Sequence, residues 1–174
     1  MTRSMMIGVT VVMAVTATVA QAQHPAMPPG MTHEQHLAQM RKEADLKTRG
    51  AAAMGFDQDK TTHQFRLTPD GGAIEVSVND QADEASRTAI RVHLKEIASE
   101  FARGDFAKPL ATHGEVPPGV TTMQQRKEAI TFKYEETPQG GRIRITTSDP
   151  KAKSALHEFL RYQIREHGLV DRQG

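Results

Sequence analysis

The spacing of apolar residues along the chain changes character several times, and each change marks an element. From Thr62 the pattern alternates, with His63, Phe65 and Leu67 on one face. Thr68-Pro69-Asp70-Gly71-Gly72 then turns the chain, and Ile74, Val76 and Val78 continue the alternation. Two period-2 runs joined by a Gly-containing turn predict a β-hairpin. The spacing next becomes helical, with Ile90, Leu94, Ile97 and Phe101 on one stripe, predicting a helix capped by Asn79 or Asp80, running to about Arg103 and stopped by Gly104. The same succession returns. Ile130, Phe132 and Tyr134 alternate, Thr137-Pro138-Gln139-Gly140-Gly141 turns, and Ile143, Ile145 and Thr147 come back. Asp149 as cap and Pro150 at the first helical position open a last helix with Leu156, Phe159, Leu160 and Ile164 as its stripe and Gly168 as its stop. Ahead of all this, Thr32 and Gln35 form a capping box for a helix over THEQHLAQMRKEADLK. Its apolar face, Leu37, Met40 and Ala44, is thin.

The two halves echo each other. Thr68-Pro69-x-Gly71-Gly72 matches Thr137-Pro138-x-Gly140-Gly141 at an offset of 69, and the helices align at 66, setting His93-Leu94-Lys95 against Phe159-Leu160-Arg161. Upstream, Arg41-Lys-Glu-Ala44 recurs as Arg126-Lys-Glu-Ala129, and the run from His24 resembles that from His113. The expected fold class is α+β. A duplicated ββα unit gives a four-stranded, mostly antiparallel sheet with two helices on one face, an N-terminal helix in addition, and the other sheet face in water. The expected divisions are a leader over 1–22, an N-terminal segment over 23–61, a first unit over 62–104, a connector over 105–129, a second unit over 130–168 and a tail over 169–174.

Two departures from the repeat carry information. The offset between halves is 85 at the RKEA segments and 69 at the hairpins, so the first half holds an insertion. It falls on RGAAAMGFDQDK, which reads as a loop broken by Gly50 and Gly55 that carries Phe56, Asp57 and Asp59 over a site. The second departure is in residue type. His63 aligns with Phe132 and His93 with Phe159, so two core-facing positions bear imidazoles where the other half has plain rings. A buried histidine with one satisfied hydrogen bond is the bland explanation of each. Two such replacements on one inner face point to a shared site.

Composition places the chain. Arg3, an apolar run from Met5 to Val19 and Ala20-Gln21-Ala22 predict a secretory signal peptide and hence a periplasmic or secreted protein. The apolar run is short of the about 20 residues a membrane-spanning helix needs, so no integral membrane segment is expected after cleavage. Of 22 Lys and Arg and 21 Asp and Glu, only Arg3 lies in the leader, which leaves the remainder formally neutral. That balance argues against a nucleic-acid partner, whose phosphates call for a basic surplus. With six Phe and two Tyr in 174 residues, a stacking groove for sugars or bases is also disfavoured. Absence of cysteine excludes disulfides, thiolate metal sites and thiol catalysis.

The chemistry left is imidazole and thioether. A transition metal is the expected occupant of a His63–His93 site, copper favoured over zinc because Met can join the imidazoles and no Cys competes. His113, Met54 and Met123 are the further candidate ligands, with Asp57 beside them. His33, His36 and Met40, at i, i+3 and i+7 of the first helix, form a secondary recruitment face. His167, in the last helical turn, is accounted for by attraction to the helix C-terminus, while His157 and the alternating Arg142 and Arg144 need no function. An enzyme would rest on Asp57, Asp59 and His63 as an acid–base set with Thr61 or Thr62 as nucleophile. No G-x-S-x-G, H-E-x-x-H or phosphate-cradling loop supports one.

The runs GFDQDKTTHQF, GGAIEV, HGEVPPGV, GGRIRITTSDP and FLRYQIREH resemble an uncharacterised family of small exported bacterial proteins, over about Gly50 to His167. The resemblance implies export and a single small domain. The label aspartate carbamoyltransferase that travels with such proteins finds no support, because the S-T-R-T-R phosphate-binding motif of those enzymes is missing. The expected function is a periplasmic binding protein holding a transition metal at a His/Met site. A metal-free module for an unknown periplasmic partner or small ligand comes second, and a small hydrolase third.

Overall fold

Alternation becomes pairing in the sheet. The computed structural model describes residues 29–167. The leader, the His24 echo and the Gly168 stop lie outside them. Strands β1 (Thr61–Thr68) and β2 (Gly71–Val78) form one hairpin, and β3 (Ile130–Thr137) and β4 (Gly140–Thr147) the other. They join through β2 and β4 into an antiparallel sheet of order β1-β2-β4-β3. At the join Ile74 faces Ile143, its own counterpart at an offset of 69, so an approximate two-fold axis passes between them. Expectation and structure agree on the α+β class and on the four-stranded antiparallel sheet.

Among the described residues five helices accompany the strands: α1 (His33–Met54), α2 (Glu84–Ala102), α3 (Ala107–His113), α4 (Val120–Gln125) and α5 (Pro150–Glu166). Each long helix after a hairpin crosses the axis. Helix α2 follows β2 but lies chiefly over β3 and β4, and α5 follows β4 but lies over β1 and β2. Glycine makes the close approach feasible. A Cβ on Gly72 would stand 2.3 Å from Leu160 Cδ1, and one on Gly141 would stand 3.2 Å from Leu94 Cδ1. Those are equivalent glycines beneath equivalent leucines. Ile90, Leu94, Ile143, Ile145, Leu156 and Leu160 are almost wholly buried in the layer between. The far face carries exposed Thr62, Arg66, Thr131, Lys133 and Arg144, with Arg142 bonded to Glu75 at 3.0 Å.

The structure corrects the sequence reading in three places. Helix α1 does not stop before Gly50. It continues through the RGAAAM run to Met54 and ends at Gly55 in the left-handed conformation. The insertion is therefore mostly helix, and only Gly55 to Lys60 forms the link to β1. The 105–129 connector holds α3, α4 and a 3-10 turn, Lys127–Ala129. The RKEA echo has no structural counterpart, since Arg41–Ala44 lies within α1 and Arg126–Ala129 is a turn entering β3. The helix caps also differ in detail. Asp83 rather than Asn79 or Asp80 caps α2, while Thr32 and Asp149 cap α1 and α5 as expected. No described helix is long and apolar enough to cross a membrane.

Candidate functional site: an imidazole-lined cavity

The two-fold repeat supplies an internal control for the site. At the β3 end, Phe132 lies 5.7 Å from Phe101, which stacks on Phe106 at 4.3 Å and meets Phe159 at 6.0 Å. That is an ordinary aromatic core. At the β1 end the equivalents of Phe132 and Phe101 are His63 and His167, with ring centroids 5.6 Å apart. The equivalent of Ile97 is Gln163, which is buried. The two ends use equivalent strand and helix positions, and apolar residues hold them at one end. The imidazoles and the amide are therefore not demanded by the fold.

A cavity of about 70 Å³ opens at the polar end, room for a few waters or a comparably small molecule. Its floor is the sheet, through His63, Phe65, Ile74 and Val76; its walls are α2, with His93 and Phe101, and α5, with Phe159, Gln163 and His167. Leu94 and Ile97 of α2, Lys108, Pro109, Thr112 and His113 of α3 and Met54 of α1 complete the lining. Phe56, just past the α1 cap, faces both of the histidines inferred from the repeat, 6.0 Å from the His63 ring and 5.6 Å from that of His93. His167 packs between Phe65 at 5.4 Å and His113 at 5.7 Å. Arg49 ties α1 to α3 by donating from Nε to the Thr112 carbonyl at 3.0 Å.

Burial sets the charge of the cluster. Loss of water pushes His63 down to about 4, with nearby His93 adding to the effect. Burial does the same to His93, also to about 4, helped by Lys108 and opposed by Glu96. His167 falls to about 3, again chiefly through burial, then through His63 and His113. His113 is lowered by burial against the partial compensation of its bond to Gln163. At neutral pH the four rings are uncharged. The expectation that His167 acts as a cation at a helix C-terminus is thus corrected.

Polar satisfaction is incomplete. His113 Nε2 and Gln163 Oε1 share a hydrogen bond of 2.9 Å. His113 Nδ1, Gln163 Nε2 and His63 Nε2 are buried with no partner. Each such atom costs about 1–3 kcal/mol unless a bound molecule or water pairs it, and three of the six such atoms among the described residues lie on this one lining.

The candidate residues separate cleanly. His63, His93, His113 and Met54 come together on one lining, joined by His167 and Gln163, which the sequence reading did not place there. The signal for both was present. Extending the offset of 66 to the end of the helix sets His167 against Phe101 and Gln163 against Ile97. Met123 is instead buried in the main core, on α4. Asp57 and Asp59 do not cover the cavity. Asp57 accepts from the Asp59 amide in the 3-10 turn, and Asp59 pairs with Lys47 at 2.7 Å. Both are exposed, so no acid–base set with His63 is formed. His33, His36 and Met40 lie in the first turns of α1 and are not part of the lining.

His157 has a structural task. Its Nε2 faces the carbonyls of Gly71 at 2.8 Å and Thr68 at 3.2 Å, so that nitrogen carries the proton. Across the axis Arg91 donates to Gly140 at 3.2 Å and Thr137 at 3.0 Å, the equivalent carbonyls. Each helix thus clasps the opposite turn.

Among the described residues no three or more His, Asp or Glu side chains are gathered so as to hold a metal ion. The expected ligand set of His63, His93 and His113 is therefore not assembled, with the Phe56 ring packed against two of its three members. Fold and site together define a two-layer α+β domain with one polar, imidazole-lined cavity. No family model, curated protein or solved structure matches the chain.

Proposed function

We propose that this is an exported binding protein whose ligand site is the imidazole-lined cavity, with an uncharged small molecule as its occupant. The observation that carries the reading is the replacement, at equivalent positions of one duplicated fold, of Phe132, Phe101 and Ile97 by His63, His167 and Gln163. Apolar residues hold the equivalent positions, with Phe101 and Ile97 across the same cavity, so the polar set is accounted for by what it contacts. Neutral imidazoles suit an uncharged occupant. Lys108, the cationic side chain of the lining, is engaged by Glu96 at 2.8 Å and Glu100 at 3.0 Å. The A-x-A leader and the resemblance to exported bacterial proteins support passage out of the cytoplasm, and the even charge balance supports a partner other than nucleic acid.

A soft metal ion, copper before zinc, is the second reading. It is favoured by Met54 on the same lining and by His113, whose Nε2 is held by Gln163 while Nδ1 stays free. That is how a ligating imidazole is commonly oriented. It requires the side chains to converge on binding.

The test is mass-spectrometric and elemental analysis of protein purified from the export compartment, beside His63→Phe/His167→Phe. An organic molecule released from the wild type and absent from the variant supports the first reading. Stoichiometric copper lost from the variant replaces it with the second. Protein that carries neither, and whose cavity resonances ignore added fragments and metals alike, ends both.

A further inference from the structure

Gln163 and His113 constrain what the occupant must offer. Their shared hydrogen bond has two chemically equivalent descriptions. With the amide oxygen accepting, His113 Nε2 donates, its Nδ1 is left as an acceptor, and the Gln163 amide nitrogen is left as a donor. With the amide reversed, Nε2 accepts, Nδ1 becomes the unpartnered donor and the amide oxygen the unpartnered acceptor. In both, the pair presents one free donor and one free acceptor, both buried. His63 Nε2 adds a third unpartnered atom on the same lining.

We infer that the cavity takes an uncharged small molecule bearing a group that both donates and accepts a hydrogen bond, a hydroxyl or a primary amide, and that the Gln163–His113 pair selects it. The inference rests on the reading of the cavity as a binding site. Phe65, Phe101 and Phe159 line the cavity and supply apolar contact. A carboxylate would meet acceptors with no free cation, because Lys108 is already held by two glutamates. An ammonium would meet no carboxylate among the side chains that line the cavity. A bare hydrocarbon would fill the space and leave the polar atoms unpaired. Position 163 can be exchanged, since its equivalent is Ile97 and the fold accepts an aliphatic chain there.

The test is a titration of the full chain, freed of its leader, with phenol, benzamide, toluene and benzoate, followed by amide chemical shifts and thermal midpoint. Phenol and benzamide are expected to move resonances of Met54, His63, His113 and His167 and to bind at least tenfold more tightly than toluene or benzoate. Gln163→Ile/His113→Leu, which removes the whole pair and is confirmed as folded by its amide spectrum, should lose that preference and bind toluene as well as phenol. Toluene or benzoate binding the wild type as tightly as phenol overturns the inference and leaves the cavity a binding site. Retention of the preference in the double variant removes the pair as its source and overturns the inference too. If no probe of any class moves the cavity resonances, the binding reading itself falls. The comparison of probes on the wild type stands whether or not the variant folds.

Discussion

Acid should weaken this fold well before its carboxylates titrate. His63 and His93 are depressed to about 4 and His167 to about 3, against an ordinary value of 6.5. Between those limits the unfolded chain binds protons that the folded chain refuses, so stability rises with pH and is lost as pH falls below 6.5. The sign follows from burial of groups that must stay neutral. From pH 7 to pH 5 each ring costs about 2 kcal/mol, and the three together about 4–6 kcal/mol, because part of the shift is shared among them. A domain of this size has roughly 5–15 kcal/mol in total. The paired carboxylates Asp70, Asp83, Glu96 and Asp149 are lowered instead, so their contribution holds above their ordinary range and disappears only at lower pH. The two windows are separate. Urea unfolding at pH 7.5, 6.5, 5.5 and 4.5 measures the slope, expected to approach three protons, or about 4 kcal/mol per pH unit, near pH 5. His63→Phe/His167→Phe puts in the residues of the other end, Phe132 and Phe101, and should retain about one proton of that slope. A flat profile from 6.5 to 4.5, or an unchanged slope in the variant, refutes the reasoning.

Three further outcomes follow from the packing. Gly72→Ala should destabilise by about 1–3 kcal/mol, because its Cβ meets backbone, Arg66 O at 2.7 Å, as well as Leu160. Gly141→Ala should cost less, as its neighbours at 2.8 and 3.2 Å are the side chains of Tyr134 and Leu94; chemical denaturation ranks the two. His157→Leu removes the donor to two turn carbonyls and should cost about 1–3 kcal/mol, whereas His157→Arg, copying Arg91, should recover most of it in the same assay. Arg49→Ala cuts the bond to Thr112 and should speed hydrogen exchange in α1 and α3 while leaving the strands unchanged.

The sheet was legible because alternation is a direct image of the pleat, and the Thr-Pro-x-Gly-Gly turns fixed the register of both hairpins. Helices α2 and α5 were legible from their stripes. Helix α1 outruns its expected end because Gly50 is not a stop. It instead lies buried within the helix, where tertiary contact outweighs a propensity cost of about 1 kcal/mol. Helices α3 and α4, of seven and six residues, are too short for periodicity to register. As for the site, His63 and His93 were visible as breaks in the repeat. His167 was misjudged because its position at a helix end offered a ready local account, while the burial that keeps it neutral comes from β1 and α3, far away in sequence. Met123 was misjudged for the converse reason, since sulfur chemistry made it attractive and only packing shows it to be core.

The crossing of the helices has a consequence for how the halves depend on one another. A single β-strand–β-strand–helix unit has little surface beneath its own helix, because most of that surface belongs to the other hairpin. Half of the chain alone would have to find a second half, which makes the whole equivalent to two interlocked copies joined into one polypeptide. A symmetric pair would be obliged to carry every residue twice, so a polar cluster at one end would appear at the other as well. Joining the copies lifts that obligation. One end is free to keep the aromatic packing that holds the molecule together, and the other to exchange it for imidazoles.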